Sequence, residues 1–158
     1  MSSAISPTSL TSDGDSGLDR AVAQVAEDCF YAMVEPAPTD AWLEGCAAHD
    51  DWMQADVVFS GTFGGTVSCR LPRVMARDLA AAFLGMAEEE LDPGADTVGD
   101  LAGELANMVC GRWLTATQPG GLFDLAHPVV ISAERPDASW HGVLVNGFPL
   151  ALRVASGG

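Results

Sequence analysis

The 158-residue chain contains no lysine and a single tyrosine, and its positive charge rests on seven arginines set against 22 acidic residues. Without lysine there is no amine nucleophile, no Schiff base and no P-loop lysine. A net charge of −15 opposes phosphodiester backbones and anionic bilayers, which are bound by cations that release counterions, so neither nucleic acid nor membrane is an expected partner. No apolar run approaches the roughly 18 residues of a membrane span. The N-terminus MSSAISPTSLTSDGDSG lacks the basic start and apolar block of a secretory signal, which makes cytoplasm the expected location. Cysteine is sparse, and Cys29, Cys46, Cys69 and Cys110 show no Cys-x-x-Cys spacing; they read as buried reduced thiols rather than a zinc site or a disulfide framework. His49, His127 and His141 are equally scattered, and no metal site is encoded.

What is present is a globular composition, 48% hydrophobic and 18% charged, long enough for one self-sufficient core. Residues 1–17, rich in Ser, Thr, Gly and Asp, are expected to be a disordered lead-in to a domain over 18–156. An apolar helical stripe runs through Leu18, Val22, Val25, Cys29, Ala32 and Met33 and stops before EPAPTD. AWLEGCAA offers a second, short helix. WMQADVVFSGTFGGTVSCRLP reads as a hairpin around a glycine-rich turn. PRVMARDLAAAFLGM reads as a helix opening on Pro72, with Val74, Leu79, Ala82 and Phe83 on one side. Glu88, Glu89, Glu90 and Asp92 then form an acidic loop, and HPVVISAE, WHGVLVNG and FPLALRVA are strand candidates. The order helix, then hairpin, recurs over 18–70 and 97–154. The expectation is a pseudo-duplicated α/β (α+β) domain, with an antiparallel-rich central sheet flanked by helices.

The segment GDLAGELANMVCGRWLTA, residues 99–116, is a helix by its periodicity, yet Asp100, Glu104, Asn107 and Gly111 interrupt the apolar pattern at steps of four, three and four. At about 100° per residue these four fall within an arc of roughly 60°, whereas Leu101, Leu105, Met108 and Val109 face elsewhere. A carboxylate and a carboxamide one turn apart, with Gly103 and Gly111 beside them, make a stripe that something is expected to approach closely, because each interior glycine costs about 1 kcal/mol of helix stability. GTFGG lacks the Gly-Lys-Ser/Thr ending of a phosphate loop, no Gly-x-Ser-x-Gly elbow occurs, and Trp42, Trp52, Trp113 and Trp140 read as core or interface aromatics.

In DLAGELANMVCG the chain resembles the CheC/CheX/FliY chemotaxis phosphatases, whose signature is Asp or Ser, three residues, Glu, two residues, Asn, with a proline further along. Asp100, Glu104 and Asn107 match it without a gap, and Pro128 is the counterpart of the proline. The likeness extends to the hairpin FSGTFGGTVSCRLP and the following helix ending FLGM. It implies hydrolysis of the phosphoaspartate of a CheY-like receiver domain: Asn107 places the water, Glu104 anchors to the receiver's lysine, and Asp100 orients or caps. No cofactor belongs to the chain itself, Mg²⁺ being expected on the receiver. Aligning Asp19 with Asp100 puts Ala23 and Ala26 at the Glu and Asn places, so one site is expected, as in the CheX-like branch, together with its homodimer. The other class kept open is a non-catalytic CheX-like binding or dimerisation module in two-component or flagellar signalling.

Overall fold

The computed structural model describes residues 7–91 and 96–157. Among these, four α-helices, α1 (Pro7–Phe30), α2 (Thr39–Ala47), α3 (Arg73–Leu84) and α4 (Thr97–Thr117), combine with seven strands. The strands are β1 (Val34–Pro36), β2 (Trp52–Gly61), β3 (Gly64–Pro72), β4 (Phe123–Leu125), β5 (Val129–Ala133), β6 (His141–Val145) and β7 (Phe148–Gly157). All pairings are antiparallel, in the order β1-β6-β7-β3-β2-β4, with β5 also on β2.

The expected duplication is visible in this order. Hairpins β2–β3 and β6–β7 lie side by side, joined by β3 to β7 from Gly64↔Gly157 to Arg70↔Ala151. Each half sends a strand across to the outer strand of the other hairpin: β1 pairs β6 and β5 pairs β2. Helices α1 and α4 lie against each other over one face of the sheet. That face is apolar because strand side chains alternate: on β2, Met53, Ala55, Val57 and Phe59 are all buried, and on β3, Val67, Cys69 and Leu71 join them. Phe59 packs edge-on against Trp113, Phe63 and Phe123.

Among the described residues, the opposite sheet face is covered at one end only. There α2 closes a second cluster of Trp42, Cys46, Trp52, Trp140 and Ala151, in which the Trp42 indole N–H donates to the Val143 carbonyl at 3.1 Å and the Trp52 indole N–H to that of His49 at 2.8 Å. Arg70 and Arg153 both lie over the Trp140 ring, 4.5 and 4.0 Å from its centre, so two of the few cations are spent on pinning the Trp140 loop. The cysteines are free thiols. Burial pushes Cys46 and Cys110 up to about 11 and Cys69 up to about 12, leaving these three neutral and weakly nucleophilic.

Several boundaries differ from the sequence reading. Helix α1 extends back to Pro7, through much of the stretch read as a lead-in; adding turns to a helix already nucleated by packing costs far less than starting one. Residues 1–6 of that stretch lie outside the described residues, as does Asp92 of the acidic run. Helix α1 ends at Phe30 because Tyr31 takes φ 53°, a left-handed conformation that breaks the hydrogen-bond ladder. The released chain forms β1, and Met33 points to solvent instead of continuing the stripe. Pro72 stands just before α3 rather than within it. The buried side of α3 is Met75, Ala76, Leu79, Ala80 and Ala81, while Val74 and Phe83 are nearly half exposed: the alanines let α3 come close enough to the core for Met75 and Leu79 to be buried in it. Glu88–Glu90 form a short 3₁₀ turn with all three side chains exposed.

Gly142 has no room for a side chain, since a Cβ there would fall inside the Trp42 indole. Gly142→Ala is expected to lower the unfolding free energy by at least about 2 kcal/mol through overpacking. Gly45→Ala, in α2 with nothing within 4 Å of its Cβ position, should be neutral or raise it by up to about 1 kcal/mol. Denaturant midpoints of the two variants measure the contrast, and equal midpoints would contradict this account of the second cluster.

Candidate functional site

Helix α4 begins after Asp96 and closes its first turn with the Asp100 N–H donating to the Asp96 carbonyl at 2.9 Å. From there it is buried over most of its circumference. Leu101, Leu105 and Val109 are at most 3% exposed, as the apolar periodicity anticipates. Gly99, Gly103, Ala106, Cys110 and Trp113, on the other flank, are buried as well. A helix enclosed on both flanks keeps only a narrow strip for solvent. Asp100 and Glu104 are exposed on that strip, and Asn107 and Gly111 are half-buried on it. The four residues that interrupt the apolar pattern therefore form one ridge.

The neighbours that fix this ridge can be named. On the α1 side, Arg112 donates to Asp28 Oδ2 at 3.1 Å and to Gln24 Oε1 at 3.4 Å, and the Cys29 thiol lies 3.7 Å from the Met108 sulfur. Beneath, Trp113 meets Phe59 and Phe63. On the remaining flank, a Cβ at Gly103 would stand 3.2 Å from Pro128 Cβ and 3.4 Å from Val130 Cγ2. Gly103 was expected to let a partner approach; instead it admits the chain's own Pro128, which packs on the helix beside Glu104. Gly111 does stand open, with nothing within 4 Å of its Cβ position. The Gly111 carbonyl accepts a hydrogen bond from the Thr115 hydroxyl at 2.9 Å, so its backbone remains helical and occupied.

Glu104 and Asn107 make no side-chain hydrogen bond within the described residues, and neither is sealed off from water. The ion pairs among those residues engage Asp19, Asp28, Asp50 and Asp51, leaving Asp100 and Glu104 without an internal cation. The site thus offers one carboxylate acceptor and, one turn on, one amide that both donates and accepts. Among the described residues no group of three or more His, Cys, Asp or Glu side chains is arranged to hold a metal ion. The corresponding strip of α1 is spent differently: Asp19 pairs with His141 at 2.5 Å, and Ala26 is buried. Among the described residues only one half carries an outward Glu and Asn pair.

Beside the ridge the sequence reading missed a groove. Between α3 and α4 lies a cavity of about 470 Å³ lined by Ala80, Phe83, Leu84, Thr97, Asp100, Leu101 and Glu104. Of its apolar wall only Phe83 stands on the side of α3 picked out by the sequence, and the signal that separates wall from core is the apolar set Met75, Ala76, Leu79 and Ala80, which already accounts for the buried side of α3.

Comparison with known proteins bears on the fold and the family. The family described as chemotaxis phosphatase CheX matches over residues 53–142. No curated protein sequence matches the chain. Among solved structures, the chemotaxis protein CheX from Desulfovibrio desulfuricans is similar at 16% identity and a TM-score of 0.65, covering 92% of this chain and 99% of its own. CheX from Vibrio vulnificus is similar at 18% identity and a TM-score of 0.62, covering 90% and 95%. The complex of CheX with CheY, BeF₃ and Mg²⁺ from Borrelia burgdorferi is similar at 15% identity and a TM-score of 0.56, covering 89% and 96%. At these identities the structures speak for the fold, and the family match, over more than half of the residues and including the whole ridge of α4, carries the assignment: the chain belongs to the CheX family.

Proposed function

We propose that the protein accelerates hydrolysis of the phosphoaspartate of a CheY-like receiver domain, with Asn107 and Glu104 as the working pair. The observation that carries this reading is the ridge of α4, where an amide and a carboxylate one turn apart stand outward from a helix held on every other side. The Borrelia burgdorferi relative was captured with CheY, BeF₃ and Mg²⁺, and a receiver of that class is the partner assigned here.

The chemistry asks little of the helper. An acyl phosphate is already activated, and the receiver brings the Mg²⁺ that neutralises charge on the phosphoryl oxygens; what is missing is a water held in line with the bond to the aspartyl oxygen. Water adds to phosphorus, the carboxylate leaves, and inorganic phosphate is released. The Asn107 amide oxygen accepts a hydrogen bond from that water and aims its lone pair at phosphorus, while the amide N–H₂ donates to a phosphoryl oxygen or to the receiver backbone. Amides do not titrate, so this role is insensitive to pH. Glu104 accepts from the receiver's active-site lysine, a charge-assisted hydrogen bond that sets the register of the inserted helix. Asp100 adds negative potential one turn upstream. Pro128, packed on Gly103, braces the helix at the level of Glu104. Gly111 lets the receiver backbone come close below Asn107. The protein has no helix among the described residues long and apolar enough to cross a membrane, and the cytoplasm, where receivers act, is its assigned location.

Dimerisation is assigned to β5. It pairs β2 on one side and has no strand partner on the other among the described residues, with Val129 and Ile131 59% and 49% exposed. An open apolar edge of this kind is covered most simply by a second copy.

Three variants and the wild-type protein test these assignments. Asn107→Ala should lower kcat for receiver dephosphorylation by about 10²-fold or more with little change in receiver affinity, since the interaction it removes belongs to the transition state. Glu104→Ala should instead weaken binding to a beryllofluoride-loaded receiver by about 2 kcal/mol or more. Unchanged receiver lifetime on adding the wild-type protein, with binding retained, would favour a docking module that does not catalyse. Ile131→Lys should shift the protein from dimer to monomer in light scattering, and an unaltered mass would exclude the β5 edge.

A further inference from the structure

Glu104 of the proposed pair lines the 470 Å³ groove between α3 and α4, as does Asp100 one turn upstream, and no step of the chemistry uses its apolar remainder. Its floor and far wall are apolar: Ala80 and Leu101 are buried, while Phe83 and Leu84 are 47% and 48% exposed. Phe83 is held from behind by Phe30, ring centres 5.5 Å apart, and α3 is stopped just past Leu84 by Gly85 in the left-handed conformation. These side chains are therefore presented by a rigid helix end, not by a loose segment. Every charged group lining the groove is a carboxylate, and neither Asp100 nor Glu104 has an internal cation among the described residues. The exposed Glu88–Glu90 turn packs against α3 and adds three more negative charges beyond the groove's rim.

A groove between two helices, apolar inside and acidic along its edge, matches a helix that carries apolar side chains at i and i+3 or i+4 with Lys or Arg beside them. We infer that the α3–α4 groove docks such a basic amphipathic helix on the surface of the receiver, next to the inserted Glu104 and Asn107. This rests on the receiver reading above. It divides the labour along α4: the ridge acts on the phosphoryl group, while the groove selects which receiver is held. The Glu88–Glu90 turn steers the basic face toward the groove, a long-range attraction that raises the association rate and fades with salt.

The test uses the full chain and a beryllofluoride-loaded receiver of the CheY type whose phosphorylated form it dephosphorylates. Leu84→Asp is expected to raise Kd and KM by about tenfold or more while leaving kcat at saturating receiver unchanged. The double variant Glu88→Gln/Glu89→Gln alters only exposed side chains; it keeps Glu90, whose carboxylate accepts from the Ala87 N–H at 2.7 Å. It should slow association severalfold at low salt and not at high salt. Kd within twofold of wild type for Leu84→Asp, folded by circular dichroism, would overturn the docking assignment, as would an association rate with unaltered salt dependence in the double variant. Should Leu84→Asp not fold, the double variant decides alone. Failure of Asn107→Ala to lower kcat would instead strike the catalytic reading, and the KM of Leu84→Asp would still report on the groove.

Discussion

The burial of α4 on all sides but one is the constraint from which the rest of the structure follows. Leu101, Leu105, Val109 and Trp113 each remove a large apolar side chain from water, worth about 2 kcal/mol apiece, and Gly99, Gly103, Ala106 and Cys110 let neighbouring elements close in on the opposite flank. A helix seated this firmly cannot roll to hide its polar strip. Asp100, Glu104, Asn107 and Gly111 are left outside because no rotation about the helix axis buries them without exposing a core residue. In the proposed reaction the rigidity has a chemical use: an amide that positions a water contributes in proportion to how little it must be ordered when the partner arrives.

The pseudo-twofold arrangement explains how one helix came to be held so well. Two helix-and-hairpin halves exchange a strand each, β1 to β6 and β5 to β2, which builds one continuous sheet beneath both α1 and α4. The two helices then brace each other through Arg112 with Asp28 and through Met108 with Cys29. Duplication supplies two equivalent outward strips, and among the described residues only that of α4 carries a Glu and Asn pair. On α1 the matching strip has turned into structure, with Asp19 tied to His141 and Ala26 in the core. One half supports, and the other presents.

Much of this was legible from residue order because the determinants are local. The hairpins declared themselves by β-branched alternation around glycine turns, the α4 ridge by a spacing of four, three and four that survives in any regular helix, and the lack of a matching pair on α1 by the alanines at the corresponding places. Other features depend on contacts between distant residues. Strand β1 exists because Tyr31 breaks α1 and frees a partner for β6. Gly103 looked like an opening for another molecule and is filled by Pro128, 25 positions later. The side of α3 that faces the core is chosen by what fits beneath it, so Met75, Ala76, Leu79 and Ala80 win over Val74 and Phe83. The apolar wall of the groove beside the ridge follows from that choice.

The central claim is that the Asn107 tip, held outward by an immobile helix, lines up water against the phosphoryl group of a receiver. A crystal structure of the full chain with its beryllofluoride-loaded receiver and Mg²⁺ tests it most directly. The account predicts α4 inserted at the receiver's aspartyl site, with the Asn107 amide within about 3 Å of a position in line with the bond to the aspartyl oxygen and the helix unmoved in its own fold. A receiver seated on any other face, or an Asn107 turned away from that position, would contradict it.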